Sequence, residues 1–242
     1  MTVFGEVADT YDVVRPGYPP SIAAALGEHL GGPPTVVTEI GAGTGVATAM
    51  FRLLGAPMIC IEPDPRMAAV LEAKFPEATV VATDFASWSP PPGGVPVLVG
   101  AMVWHLLDAD RRNALAYGAL ASDGVLALVG RRYTMCEPSE AVALEAVFHA
   151  HGLEMAWRPD AWIADDLAAS RLFVDVEQSR HDSTVRLSRE GYVALLSTFS
   201  PFRRLGPPAQ QRLQVAVGAW VDQRGGSVDL LVQTTLNLAR RA

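Results

Sequence analysis

The chain has 242 residues, a formal net charge of −7 and a half share of hydrophobic residues, a profile that suits an α/β globular chain. The pairs Arg111-Arg112, Arg131-Arg132 and Arg203-Arg204 are isolated and read as solvated surface, and no basic run interleaves with aromatics, so no nucleic-acid partner is expected. Cys60 and Cys136 make neither a disulfide framework nor a cysteine-rich metal site, and no leader pattern or membrane-length apolar run occurs. A cytoplasmic, metal-free monomer or homodimer is the default expectation.

Residues 1–18 form a mixed arm that carries Phe4, Tyr11, Arg15 and Tyr18. Ile22, Leu26, His29 and Leu30 fall on one helix face, which Gly31-Gly32-Pro33-Pro34 ends. Apolar runs then predict strands over 35–40, 58–61, 79–82, 95–99 and 125–129. Helical spacing predicts helices over 46–54, near 67–75 and over 110–120. Ser122-Asp123-Gly124 reads as a turn. Further on, Ala141, Leu144, Val147 and Phe148 share a helix face. Residues 157–162, which include Trp157 and Trp162, read as irregular, and 173–177 and 183–187 as extended. Ser188 is placed as the N-cap of a helix to residue 196. Leu213, Val217, Trp220 and Val221 mark another helix, and 227–236 a final strand.

Short Val/Ile/Leu runs that alternate with helices predict a doubly wound, mostly parallel sheet covered on both faces. In such sheets ligands bind beyond the carboxyl ends of the strands. Glu39 to Gly45, Glu62, Asp84 and Ala101 to His105 all fall there.

The first strand is the most specific. It ends in Glu39 and is followed by glycines at 41, 43 and 45, the pattern of a strand that turns sharply into a helix against bare main chain. A dinucleotide fingerprint starting at Gly41 needs a third glycine at 46, which is Val46; starting at Gly43 it needs one at 48, which is Thr48. Glu62 ends the next apolar run about twenty residues on, a spacing that suits a carboxylate accepting from a ribose.

This Gly-x-Gly-x-Gly behind Glu39 resembles the first motif of class I S-adenosylmethionine-dependent methyltransferases. The stretch from Ile59 to Met67 is similar to their second motif, Ala82-Thr83-Asp84-Phe85 to the segment that meets adenine, and Gly100 to His105 to the segment after the fourth strand. The arm with Tyr11, Arg15 and Tyr18 resembles the small-molecule branch that includes trans-aconitate methyltransferases. The resemblance implies a seven-stranded Rossmann-like sheet in a single domain, 1–242. Its parts would be an arm and helix over the cofactor at 1–34, a cofactor-binding core at 35–130, and a C-terminal half at 131–242 with substrate-facing insertions.

It further implies S-adenosyl-L-methionine as cofactor, with S-adenosyl-L-homocysteine as product. Tyr11, Arg15, Glu39, Gly41, Ala42, Gly43, Gly45, Glu62, Pro63, Met67, Asp84, Phe85 and Ala101 would bind it. His105 would be the catalytic base or orienting donor. Tyr18, Trp104, Trp157, Trp162 and Thr198 are candidates for the acceptor site. The implied activity is methyl transfer to a small molecule, with an oxygen acceptor (carboxylate or hydroxyl) favoured and a bacterial secondary pathway as setting. Nitrogen or carbon transfer, a silent cofactor-binding partner protein and a nicotinamide oxidoreductase are the alternatives. Leu106, Met102 and Pro96 depart from the family pattern, and because the first two bear on the acceptor pocket, acceptor identity is not carried over.

Overall fold

The strands form where apolar runs can be buried on both faces. In the computed structural model, which describes residues 12–156 and 158–242, all four residues of β1 (Val37–Ile40) are buried. Along β4 (Val95–Ala101) and β5 (Leu120–Met135), side chains alternate between two cores. Val97, Val99, Val125 and Ala127 join Ile22 and Leu26 of α1 (Pro20–Leu30) and Met50 and Phe51 of α2 (Thr48–Phe51). Leu98, Leu126 and Leu128 face the other way, toward Ala116 and Ala119 of α4 (Arg112–Ala119). That same core takes Ile163 and Leu167 of α6 (Trp162–Ser170).

The chain divides into two packed units. The larger comprises Gly17–Arg131, Pro159–His181 and Thr234–Ala242. Its strands include β2 (Met58–Ile61), β3 (Thr79–Val81), β6 (Phe173–Arg180) and the end of β8 (Ser227–Arg241). They run in the order β3-β2-β1-β4-β5-β8-β6. β3-β2, β2-β1, β1-β4 and β4-β5 pair parallel, and β6 pairs antiparallel with β8. This is the doubly wound, mostly parallel sheet that the sequence predicts, with seven strands along this order, as the resemblance implies, and an eighth paired with β8 off it. α3 (Pro65–Lys74) links β2 to β3.

The smaller unit comprises Met1–Pro16, Arg132–Arg158 and Asp182–Gln233, described from residue 12 and without residue 157. It holds α5 (Pro138–Ala150), β7 (Ser183–Ser188), α7 (Arg189–Leu196), α8 (Ser200–Arg203) and α9 (Pro207–Asp222) around its own core. β7 pairs antiparallel with the start of β8, from Ser188↔Ser227 to Ser183↔Val232. Ser188 caps α7 as predicted, its Oγ accepting from the Gly191 N–H at 3.2 Å. Among the described residues no helix is long and apolar enough to cross a membrane.

Three elements differ from the sequence reading. The helix expected over 46–54 is one α-turn followed by a 3-10 turn, Arg52–Leu54, because residues 46 and 47 are still spent leaving the glycine turn. The turn at Ser122-Asp123-Gly124 does not break β5. It is a bulge, since Val95 pairs with Leu120 but Val97 with Val125, and Asp123 takes the left-handed φ of 58° that this requires. Trp162 begins α6 rather than closing an irregular segment.

Candidate functional site

The order of the larger sheet reverses between β1 and β4, both of which pair with neighbours running away from them, and at such a switch a crevice opens beyond the strand ends. The glycine turn lies at this point. Gly41 and Ala42 donate to the Ile61 carbonyl at 2.8 and 3.2 Å, which ties the turn to β2. Gly43 and Gly45 have φ of 59° and 86°. A Cβ on Gly45 would sit 2.4 Å from Phe75 Cε2 and 2.7 Å from Leu71 Cδ1, so this glycine admits the protein's own core. Among the described residues a Cβ on Gly43 would meet only Met67 Cε, at 3.9 Å. Toward the described residues the main chain at Gly43 is therefore bare, so that a ligand can lie directly on it.

Glu62 stands beside that opening, 5 % exposed. Its Oε2 accepts from the Gly43 N–H and its Oε1 from the Asp64 N–H, both at 2.8 Å. Each oxygen keeps acceptor capacity for a further donor. Burial pushes this carboxyl up, the two backbone N–H groups pull it down, and the Asp64 charge raises it again. Asp64 caps α3 by accepting from the Arg66 N–H and pairs with the Arg66 guanidinium at 2.9 Å, so the segment after Glu62 is held rigidly. Met67 is buried on α3 and Pro63 is exposed. Past β3, exposed Asp84 accepts from the Ser87 N–H at 2.9 Å and the Ser87 hydroxyl at 3.0 Å, so it caps a local turn. Phe85 is buried and stacks on Trp88. Ala101 ends β4, and His105 is exposed on the 3-10 turn Trp104–Leu106.

Glu39 lies behind the turn. It is 1 % exposed, and its Oε2 accepts from the Thr48 hydroxyl at 2.6 Å. Burial pushes its carboxyl up to about 8; the Thr48 hydrogen bond opposes this and the Glu62 charge adds to it. A carboxyl whose folded pKa exceeds its ordinary 4.5 stabilises the fold fully below that value, and the contribution is lost as pH rises through about 8. With ~1.4 kcal/mol per pKa unit, the loss across this window is on the order of several kcal/mol. Thermal melts of the native chain should therefore fall between pH 5 and about 8, and Glu39→Gln should flatten the profile. Parallel profiles for the two proteins would assign the slope to another group.

No protein-family model matches the sequence. A methyltransferase of Mycobacterium tuberculosis, itself uncharacterized, is 29% identical over 126 residues, 52% of this chain and 51% of that one. The chain thus spans about half the length of the curated relatives it matches. Among solved structures, one described as a type II methyltransferase from Anaeromyxobacter dehalogenans superposes with a TM-score of 0.70 at 18% identity, over 93% of this chain and 97% of that one. A phosphoethanolamine N-methyltransferase from Haemonchus contortus, solved with S-adenosylhomocysteine, gives 0.57 at 14% identity, over 98% of this chain and 57% of that one. The chain has the Rossmann-like methyltransferase fold.

Within this methyltransferase fold, the remaining candidates divide by unit. In the larger unit Tyr18 is half-buried beneath the Arg131 guanidinium, 3.5 Å from its ring centroid, and Arg131 donates to the Gly17 carbonyl at 2.7 Å. Trp162 is half-buried at the start of α6. Trp104 is 1 % exposed, and its indole N–H donates to Asp166 at 2.8 Å. In the smaller unit Arg15 donates to Thr198 Oγ1 at 2.9 Å and the Thr198 carbonyl at 3.1 Å, with its guanidinium 5.0 Å from the Phe199 ring centroid. Thr198 is fully buried, and its hydroxyl donates to the Leu195 carbonyl while accepting from Arg15, so it holds Arg15 in place. Tyr11, Phe4 and Trp157 lie outside the described residues.

The sequence reading missed Arg112, Asp166 and Thr48. Arg112 and Arg131, read as solvated, are 6 % and 7 % exposed. Their sequence signal is weak, because an arginine is buried only when a partner distant in the chain is brought to it.

Proposed function

We propose that the chain is an S-adenosylmethionine-dependent methyltransferase acting on a small-molecule acceptor, with a carboxylate or hydroxyl oxygen receiving the methyl group. The supporting observation is the pairing of Glu62 with the Gly43 N–H beside bare main chain at the switch point. The donor set fits that cofactor: Glu62 has acceptor capacity for two ribose hydroxyls, and a carboxylate at this turn disfavours a diphosphate. The structure from Haemonchus contortus, which shares the fold, holds the demethylated product.

When bound, the cofactor supplies a methyl group on a sulfonium sulfur, activated for in-line displacement. The protein's task is then alignment and exclusion of water, which can be worth ~7–11 kcal/mol. In this reading Glu62 holds the ribose, and the backbone of Gly41, Ala42, Gly43 and Gly45 passes beneath it. Pro63 and Met67 adjoin it, Asp84 and Phe85 take the adenine end, and Glu39 supports the turn from behind. Ala101 completes the cofactor's surroundings in the larger unit. His105 takes the proton from a hydroxyl acceptor, or orients a carboxylate that has none to lose. Tyr18 and Trp162 contribute to the acceptor site.

Calorimetric titration with S-adenosylhomocysteine and, separately, with NAD tests the reading. The first should bind and the second should not; the reverse overturns it. Incubation with methyl-labelled cofactor and an extract of the host should label a small molecule. His105→Ala should bind S-adenosylhomocysteine normally yet lose that labelling. Equal loss of binding and labelling would remove His105 from the chemistry.

A further inference from the structure

We propose that Asp166 is a positioning residue for His105, gripping the turn that carries it through Trp104 and Arg112. The inference rests on the reading of His105 as the group that meets the acceptor. Asp166 lies on α6, far along the chain from that turn. Its Oδ2 accepts from Trp104 Nε1 at 2.8 Å, Arg112 Nε at 3.0 Å and Asn113 Nδ2 at 3.1 Å, while Oδ1 accepts from Arg112 Nη2. Arg112 Nη1 donates in turn to the Trp104 carbonyl at 3.2 Å. One ion pair therefore holds residue 104 at both its indole and its backbone oxygen.

His105 is the next residue. Trp104 is buried at 1 % exposure and His105 is exposed, so the backbone from which the histidine projects is anchored at the residue before it. The turn is also gripped from its other side. Val103 Cγ2 occupies the space where a Gly41 Cβ would come within 2.4 Å, so the turn packs directly on the glycine bend. Met102, just before it, has a left-handed φ of 54°. A non-glycine residue in that region persists only where its surroundings over-determine it.

An ion pair with side chains 7 % and 21 % exposed is a costly way to fill space, and apolar side chains of similar volume commonly stabilise as well or better. What the charged pair adds is direction, because its planar fork of donors accepts only one arrangement of the carboxylate. Burial raises the Asp166 carboxyl, but the hydrogen bonds from Arg112, Trp104 and Asn113 and the Arg112 charge outweigh it and hold the group below the ordinary carboxylate range. The grip thus stays charged at neutral pH.

The test uses the full chain with ¹⁵N-labelled histidine, the His105 ring signals being assigned by their loss in His105→Gln. Trp104→Phe keeps an aromatic ring but deletes the N–H together with part of the buried indole, and Asp166→Asn keeps the shape and deletes the charge. In both, the single His105 ring signal should split or broaden, with the other histidine signals and the affinity for S-adenosylhomocysteine unchanged. An unaltered His105 signal in either folded variant overturns the proposal. So does a change shared by all the histidines, which would mark a general structural role. If the native chain fails to bind S-adenosylhomocysteine, the enzymatic reading falls, while the His105 signal still decides whether Asp166 positions that residue.

Discussion

Glu62→Ala will weaken binding of S-adenosylhomocysteine by on the order of 10²-fold or more, measured by calorimetric titration. A hydrogen bond to a charged acceptor is worth ~1.5–3 kcal/mol, and ~1.4 kcal/mol is tenfold in affinity. Losing two such bonds to a ribose therefore reaches that range. The substitution also releases the Gly43 and Asp64 N–H groups that Glu62 holds at 2.8 Å, so the bend itself loosens. The fold should survive, because a carboxylate whose burial raises its pKa carries a desolvation cost that alanine removes. Glu62→Gln, with one acceptor oxygen in place of two, should fall between. A folded alanine variant with native affinity would take away the observation on which the proposed function stands.

Gly45→Ala will destabilise the fold, whereas Gly43→Ala will mainly abolish binding. At Gly45 the φ of 86° strains any other residue, and the new Cβ meets Phe75 at 2.4 Å and Leu71 at 2.7 Å, core side chains at the end of α3 and on it. Left-handed backbone costs an L-residue ~1–2 kcal/mol, and overpacking a core adds ~1–3 kcal/mol. The sum predicts a fall in melting temperature of roughly 5–15 °C for a chain of this size. At Gly43 the backbone cost remains, but among the described residues the Cβ meets nothing closer than Met67 Cε at 3.9 Å. It enters the open side of the bend instead. Equal melting losses for the two variants would show that the bend has no such open side.

The parts of this chain legible from sequence are those whose causes are local. β2 occupies the run 58–61 as predicted, since four consecutive apolar residues between turns have few other options. Ser188 caps α7 through a bond spanning three residues. The glycine bend and Glu62 fall where the spacing places them, because a strand that turns at once into the following segment needs left-handed backbone at set positions. Thr48, which holds Glu39, is nine positions away and carries no signal of its own, because threonine has many ordinary uses in such a segment.

Long-range partners were hidden. The distance from Arg112 to Asp166 is 54 positions, and from Arg15 to Thr198 it is 183. A charged residue with no visible partner reads as surface by default, as Arg112 and Arg131 do, and a tryptophan near a site reads as lining, as Trp104 does.

From residue order alone came the parallel sheet, the bend after β1 and the acid at the end of β2, because backbone sterics and short-range burial settle these within a few residues of chain. Which polar side chains turn inward, and what they hold, was decided only on folding. Burying a charge is tolerable only once its counter-charge and hydrogen-bond donors have arrived from elsewhere in the chain, as Arg112, Trp104 and Asn113 do around Asp166.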